Sequence, residues 1–233
     1  MPLDLTQMLD PKLVVLTAPR SVAAEQYRAL RTNLEFMSVG GALERIMITS
    51  ATPGAGKSLT AGNLALALAQ ASKNTLLVDA DLRRPMIHHL FGNANLSGLT
   101  TALTRPDEWE KYVQRGPIAN LSIMTSGPIP PNPSELLSSV TMISLAGQLS
   151  QTYDIVVFDT PPVVSFTDAV ALSQTMDGVL LVVRAGHTSR KSDIKGKERL
   201  SQVNARVLGV VLNDVQMQDE AYSYYYGYGE KKS

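Results

Sequence analysis

A short apolar run, Met47-Ile48-Thr49-Ser50, leads straight into Ala51-Thr52-Pro53-Gly54-Ala55-Gly56-Lys57-Ser58, and an Ala/Leu-rich stretch, 59–70, follows. The run reads as a buried strand and the stretch as a helix opening at Lys57. Gly54 and Gly56 let the loop between them turn its N–H groups inward, and the helix N-terminus adds the positive end of its dipole. The result is an anion site of the phosphate-loop type, G-x-x-x-x-G-K-[ST], in its required strand–loop–helix setting. Ala51 stands where the first glycine is usual, a small residue that such a loop tolerates. The expected ligand is a nucleoside triphosphate with Mg²⁺. Thr52, Pro53, Gly54, Ala55, Gly56 and Leu59 would wrap the phosphates, Lys57 would reach the β- and γ-phosphates, and the Ser58 hydroxyl would ligate Mg²⁺.

Two further runs end in acids. Leu76-Leu77-Val78 stops at Asp79-Ala80-Asp81, and Ile155-Val156-Val157-Phe158 stops at Asp159-Thr160-Pro161-Pro162. In open α/β sheets ligands sit beyond the carboxyl ends of the strands, and Mg²⁺ takes one or two carboxylates beside phosphate oxygens. Helix capping is the plain reading of any one such aspartate; three at two strand ends beside a phosphate loop favour a metal site.

Apolar runs at 46–49, 75–78, 121–124, 155–158, 179–183 and 207–212 alternate with helical segments such as the charged 189–203. Strands apolar on both faces predict a parallel sheet with helices on both sides, a doubly wound α/β P-loop fold. A helix at about 22–37 precedes the first strand, with Tyr27, Leu30, Leu34 and Met37 at helical spacing. Segment 127–133 holds four prolines and reads as a loop. One domain is expected over 1–215 and a mobile tail over 216–233.

Composition removes several classes. There is no cysteine, so no disulfide, thiolate metal site or cysteine nucleophile. Lys plus Arg and Asp plus Glu are both 21, so no nucleic-acid partner is expected. The longest apolar runs fall far short of the roughly 20 residues that span a bilayer, and the N-terminus lacks the basic-then-apolar order of a signal peptide. His88 and His89 are adjacent and point apart on a helix; Trp109 reads as packing. Arg83 and Arg84 would touch phosphate or substrate, or cover a helix end.

Both ends of the chain carry a pattern. Five of the eight tyrosines (Tyr222, Tyr224, Tyr225, Tyr226 and Tyr228) lie within the last twelve residues, interleaved with Gly and Ser. Such a segment can be threaded into a neighbouring site; the bland alternative is a sticky aromatic tail. Glu25, Arg28 and Arg31 are spaced by three and line one stripe of the first helix, expected to face outward while Tyr27, Leu30 and Leu34 dock.

Asp79-Ala80-Asp81-Leu82-Arg83-Arg84-Pro85 resembles the second Walker-type motif of the bacterial tyrosine kinases of capsular and exopolysaccharide production. Phe158-Asp159-Thr160-Pro161-Pro162, the stretch 126–137, Glu25-Gln26-Tyr27-Arg28-Ala29-Leu30-Arg31 and the tyrosine cluster extend the likeness over about 21–228. Thr52 stands where the related partition ATPases carry a signature lysine. The resemblance implies an ATP-dependent kinase that phosphorylates its own tail, with Asp79 accepting the tyrosyl proton and Asp81 and Asp159 on Mg²⁺. Asn213 would contact the base. The resemblance also implies a homo-oligomeric ring, an octamer, joined through Glu25, Arg28 and Arg31. Its implied partners are a membrane-embedded polysaccharide copolymerase or activator and a phosphotyrosine phosphatase. The implied location is the cytoplasmic face of the membrane. A P-loop ATPase switch without kinase activity is the alternative.

Overall fold

The computed structural model describes residues 9–38 and 43–215; the expectations about the tyrosine-rich tail lie outside the described residues. Seven strands form one sheet: β1 (Arg45–Ser50), β2 (Thr75–Asp79), β3 (Gln114–Arg115), β4 (Leu121–Met124), β5 (Ile155–Asp159), β6 (Gly178–Arg184) and β7 (Val207–Asn213). Their order is β3-β4-β2-β5-β1-β6-β7. The six expected strands pair in parallel. The addition is β3, a two-residue antiparallel edge too short to show a period.

Alternate side chains of each strand feed two cores. Ile46, Ile48, Leu77, Val157, Leu180 and Val182 face one layer, and Met47, Leu76, Val78, Val156, Phe158, Val179 and Leu181 face the other. The first layer holds α1 (Val14–Thr17), α2 (Val22–Met37), α3 (Lys57–Gln70) and α4 (Ile87–Phe91). The second holds α5 (Leu99–Thr104), α7 (Val140–Thr152), α8 (Asp168–Ser173) and α9 (Arg190–Gln202), with α6 (Pro133–Leu137) ahead of α7. Burial on both faces is what parallel strands require.

The strand order sets the chemistry. The chain leaves β1 through α3 and returns as β2, with β5 lying between them. In register, Asp159 therefore stands beside Ile48 on one side and Asp79 on the other. Helix α3 runs through the middle of its layer, buried almost throughout. Its small residues allow this. A Cβ on Gly62 would sit 3.0 Å from Leu13 Cδ2 and 3.1 Å from Phe91 Cε2. The buried Asn63 pins the N-terminal segment to α3: its Oδ1 accepts from Val15 N at 3.0 Å, and its Nδ2 donates to Lys12 O at 3.0 Å.

Helix α2 has the expected limits and is capped by Ser21 Oγ, which accepts from Ala24 N. The docked stripe stops at Leu34; Met37 and Phe36 are exposed. The charged stripe also departs from expectation. Glu25 faces solvent and pairs with Arg28 at 2.9 Å, while Arg28 Nη2 donates to Pro19 O at 2.7 Å. Arg31 does not project outward. It lies along α3, its Nη1 donating to Ala67 O at 3.4 Å. The last carbonyls of a helix carry partial negative charge, which attracts the guanidinium.

Candidate active site

The phosphate loop joins β1 to α3. Gly54 and Gly56 have φ of +79° and +91°, the left-handed region that side chains resist. Gly56 also meets a neighbour, since a Cβ there would lie 2.0 Å from Asn213 Nδ2. That amide, at the end of β7, donates to Ala55 O at 3.0 Å and holds the loop from behind. Asn213 thus spends its amide N–H on the loop backbone, and a base contact by this residue would fall to its Oδ1. The larger first residue is accommodated because α9 presents a glycine to it. A Cβ on Gly196 would stand 3.1 Å from Ala51 Cβ.

Lys57 opens α3 and points at the strand-end acids. Its Nζ lies 2.7 Å from Asp81 Oδ2 and 3.8 Å from Asp159 Oδ1, and donates to Ser58 Oγ at 3.3 Å. Burial works against the ammonium, but Asp159, Asp81 and Asp79 outweigh it and hold the Lys57 pKa above its usual value. Asp81 Oδ1 accepts from Arg84 N at 3.0 Å and Arg83 N at 3.3 Å, so the same carboxylate shapes the turn after β2. Asp159 is fully buried, and neither of its oxygens has a hydrogen-bond partner. Burial lifts its pKa to about 6 against the pull of Lys57.

Asp79 behaves differently. It too is fully buried, but its oxygens are taken. Oδ2 accepts from Met86 N at 3.0 Å and Ile87 N at 2.9 Å, and Oδ1 accepts from Asp81 N at 3.2 Å. Burial, with the nearby Asp159 charge, raises its pKa to about 8. Asp79 anchors the start of α4 and is not among the residues that line the cavity.

The cavity in front of these groups measures about 490 Å³. Pro53, Gly54, Gly56, Lys57, Ser58 and Leu59 form its inner wall, with Asp81 beside them. Thr52, Ala55, Asp79, Asp159 and Asn213 are not among its lining residues. The outer wall was not foreseen: Asp10 and Lys12 come from the segment before α1, and Pro162, Ser165 and Phe166 from the turn after β5. Arg83 is bound in a cluster there. Its Nη2 lies 3.1 Å from Asp168 Oδ1 and its Nε bonds Asp168 Oδ2, while Ser134 Oγ bonds the same carboxylate. Its guanidinium carbon stands 4.3 Å from the Phe166 ring centroid. Three strand-end turns are thereby tied together. Arg83 and Asp168 are 85 residues apart, with no local signal to pair them. The expected site residues of α2 are not part of this cavity, and those of the tail lie outside the described residues.

The residues fit a Mg²⁺-nucleotide. Asp159 offers two buried oxygens without donors, Ser58 and Lys57 stand opposite, and the left-handed glycines leave the cradle open. Among the described residues no group of three or more His, Cys, Asp and Glu could by itself hold a metal ion.

Comparison with known proteins agrees. Residues 42–226 match the ParA family model, described as NUBPL iron-transfer P-loop NTPase; with no cysteine, this chain has no thiolate to hold iron. It is 44% identical over 219 residues to tyrosine-protein kinase YwqD of Bacillus subtilis (strain 168), covering 94% of this chain and 92% of that one. Among solved structures, the chimerical protein CapA2B2 superposes with a TM-score of 0.85 at 40% identity, covering 89% of this chain and 92% of that one. The kinase domain of Escherichia coli tyrosine kinase ETK gives 0.83 at 35% identity, covering 91% and 84%. A phosphate loop, strand-end acids and a tyrosine-protein kinase relative matched over 92% of its length lead to one conclusion: the chain belongs to the bacterial tyrosine-protein kinases, within the ParA-type P-loop NTPases.

Proposed function

We propose that this chain transfers the γ-phosphoryl group of Mg²⁺-ATP to its own C-terminal tyrosines, Tyr222, Tyr224, Tyr225, Tyr226 and Tyr228, and that it does so between subunits. The observation that carries the reading is the Lys57–Asp81–Asp159 cluster at the inner wall of the cavity. Phosphoryl transfer asks the protein mainly for charge neutralisation and in-line positioning. The loop amides and Lys57 would hold the triphosphate. Ser58, Asp81 and Asp159 would hold Mg²⁺, directly or through water. When bound, the ion supplies charge neutralisation to the phosphate oxygens.

Asp79 is the assigned acceptor of the tyrosyl proton, a role that requires the turn between β2 and α4 to release its carboxylate. A second reading makes Asp81 the acceptor, because Asp81 already lines the cavity. Asp79→Asn and Asp81→Asn separate the two. The proton acceptor is the one whose loss cuts turnover more than Mg²⁺-ATP affinity.

Around this chemistry we place a ring of subunits, an octamer, joined through α2 by Glu25, Arg28 and Arg31. A membrane-embedded copolymerase or activator and a phosphotyrosine phosphatase would complete the cycle, at the cytoplasmic face of the membrane. No helix among the described residues is long and apolar enough to cross a bilayer; membrane contact would come through such a partner or through a membrane segment outside this sequence. Exopolysaccharide or capsule production is the process regulated. Each phosphotyrosine adds about −1.5 to −2 charges, and five per tail would loosen a ring in which tails converge.

A mixing experiment tests transfer between subunits. A Lys57→Met chain with an intact tail is incubated with Mg²⁺-ATP and an active chain whose five tail tyrosines are Phe. Phosphotyrosine on the Lys57→Met chain is expected. If it stays unlabelled while wild type labels itself, transfer is within one chain.

A further inference from the structure

Two neighbouring arginines leave the turn after β2 in different electrostatic states. Arg83 is neutralised by Asp168, and Lys57 by Asp81 and Asp159. Arg84 and Lys12 line the same cavity, are exposed, and make no ion pair among the described residues. Both are held by fixed backbone. Arg84 N donates to Asp81 Oδ1 at 3.0 Å, so the metal-site acid itself places this arginine. Lys12 O accepts from Asn63 Nδ2 on the phosphate-loop helix at 3.0 Å. Asp10 N donates to Leu90 O at 2.9 Å, and Asp10 Oδ1 accepts from Lys12 N at 2.8 Å. Asp10 tempers the field at one point of the rim, and two cations remain.

The acceptor sequence is complementary. Tyr222, the first tyrosine of the cluster, is preceded by Asp219-Glu220-Ala221. An extended chain spans at most about 3.3–3.6 Å per residue, which puts both acids within about 7–11 Å of the tyrosine along the chain. We propose that Arg84 and Lys12 form a subsite for carboxylates preceding the acceptor tyrosine, so that the enzyme selects acidic tyrosine segments from a second copy of the chain. This rests on the tail being the acceptor. Complementary rim charges of this kind set partner choice and encounter more than the chemical step, so their effect falls on the acceptor's KM.

The test uses the full chain on both sides. The enzyme has its five tail tyrosines replaced by Phe and carries Arg84→Gln, Lys12→Gln, or neither. The acceptor is the Lys57→Met chain, with its tail intact or carrying Asp219→Asn and Glu220→Gln. KM for acceptor and for ATP are read from initial rates. Removing the acceptor's acids is expected to raise its KM about three- to ten-fold, the range of two exposed charge pairs. Arg84→Gln is expected to raise KM for the acidic acceptor similarly and leave the neutralised one unaffected, so the two changes do not add. Equal use of both acceptors by the parent enzyme overturns the subsite. So does an equal loss on both acceptors, or a rise in ATP KM with acceptor KM unmoved, which would put Arg84 on the nucleotide. If neither acceptor is labelled while the wild-type chain labels itself, transfer between subunits is what fails. The same acid and arginine substitutions then read the subsite on the self-labelling rate, where no slowing overturns it.

Discussion

Asp159 and Asp168 are both fully buried and nine positions apart, yet burial leaves them in opposite states. Asp168 receives two bonds from Arg83 and one from Ser134, and its pKa is held below the usual carboxylate value although burial pushes it up. Asp159 has no hydrogen-bond donor, only Lys57 at 3.8 Å, and burial raises its pKa to about 6. A buried charge is tolerable when its lone pairs are satisfied and costly when they are not. The difference separates a carboxylate that holds the fold together from one kept ready for a ligand.

The largest effect falls on the unsatisfied side. Lys57→Met is expected to cut phosphotransfer by about 10²–10³-fold, the usual loss when one charge-stabilising group is removed, read by radiolabel incorporation with circular dichroism as a fold control. Wild-type rates in this variant would dissolve the distinction between the two carboxylates.

Asp168→Asn comes next and acts on stability. It should lower the unfolding free energy by about 2–3 kcal/mol, somewhat below the roughly 3–5 for breaking a fully buried pair, because Arg83 keeps 32% of its side chain in water. Urea denaturation measures it. A neutral result would mean the cluster does not hold the three turns.

Asp159→Asn should have the opposite sign without ligand. A carboxylate whose folded pKa is raised costs nothing below its unfolded value of about 3.8. The cost grows as pH rises and is complete above about 6 for Asp159 and about 8 for Asp79. Ligand-free wild type should therefore lose stability between about pH 4 and 8. Asp159→Asn should flatten the lower part of that slope and gain on the order of 1–3 kcal/mol at pH 8, while losing Mg²⁺-dependent activity. Denaturation midpoints across that range decide it. A wild-type profile rising with pH would contradict the pKa assignment.

The smallest effect belongs to α2. Glu25→Ala should change monomer stability by less than about 1 kcal/mol, since the Glu25–Arg28 pair is exposed. Light scattering should nonetheless show a smaller species for Glu25→Ala with Arg28→Ala and Arg31→Ala. An unchanged assembly would remove these residues from the interface.

The inner wall was legible because its signal is contiguous: a strand, a glycine loop and a lysine opening a helix occupy one stretch, and the acids end recognisable strands. The outer wall was not. Asp168 meets Arg83 across 85 residues, and Lys12 reaches the cavity only because Asn63 holds the N-terminal segment. Helices α4, α6 and α8 have five or six residues, too few for a period to stand out. Asp79 and Asp81 look alike as Asp-Ala-Asp; only the fold turns one towards the α4 backbone and the other into the cavity. Arg31 shows the same limit, since spacing by three gives a stripe but does not say which member folds back onto α3.

Intact-mass and fragment mass spectrometry of purified wild-type chain after incubation with Mg²⁺-ATP tests the central claim most directly. Added phosphoryl groups are expected, up to five per chain in the cluster, located on Tyr222, Tyr224, Tyr225, Tyr226 and Tyr228 and absent from Lys57→Met alone. Release of ADP with no phosphotyrosine anywhere in the chain would contradict it and leave a P-loop ATPase switch in its place.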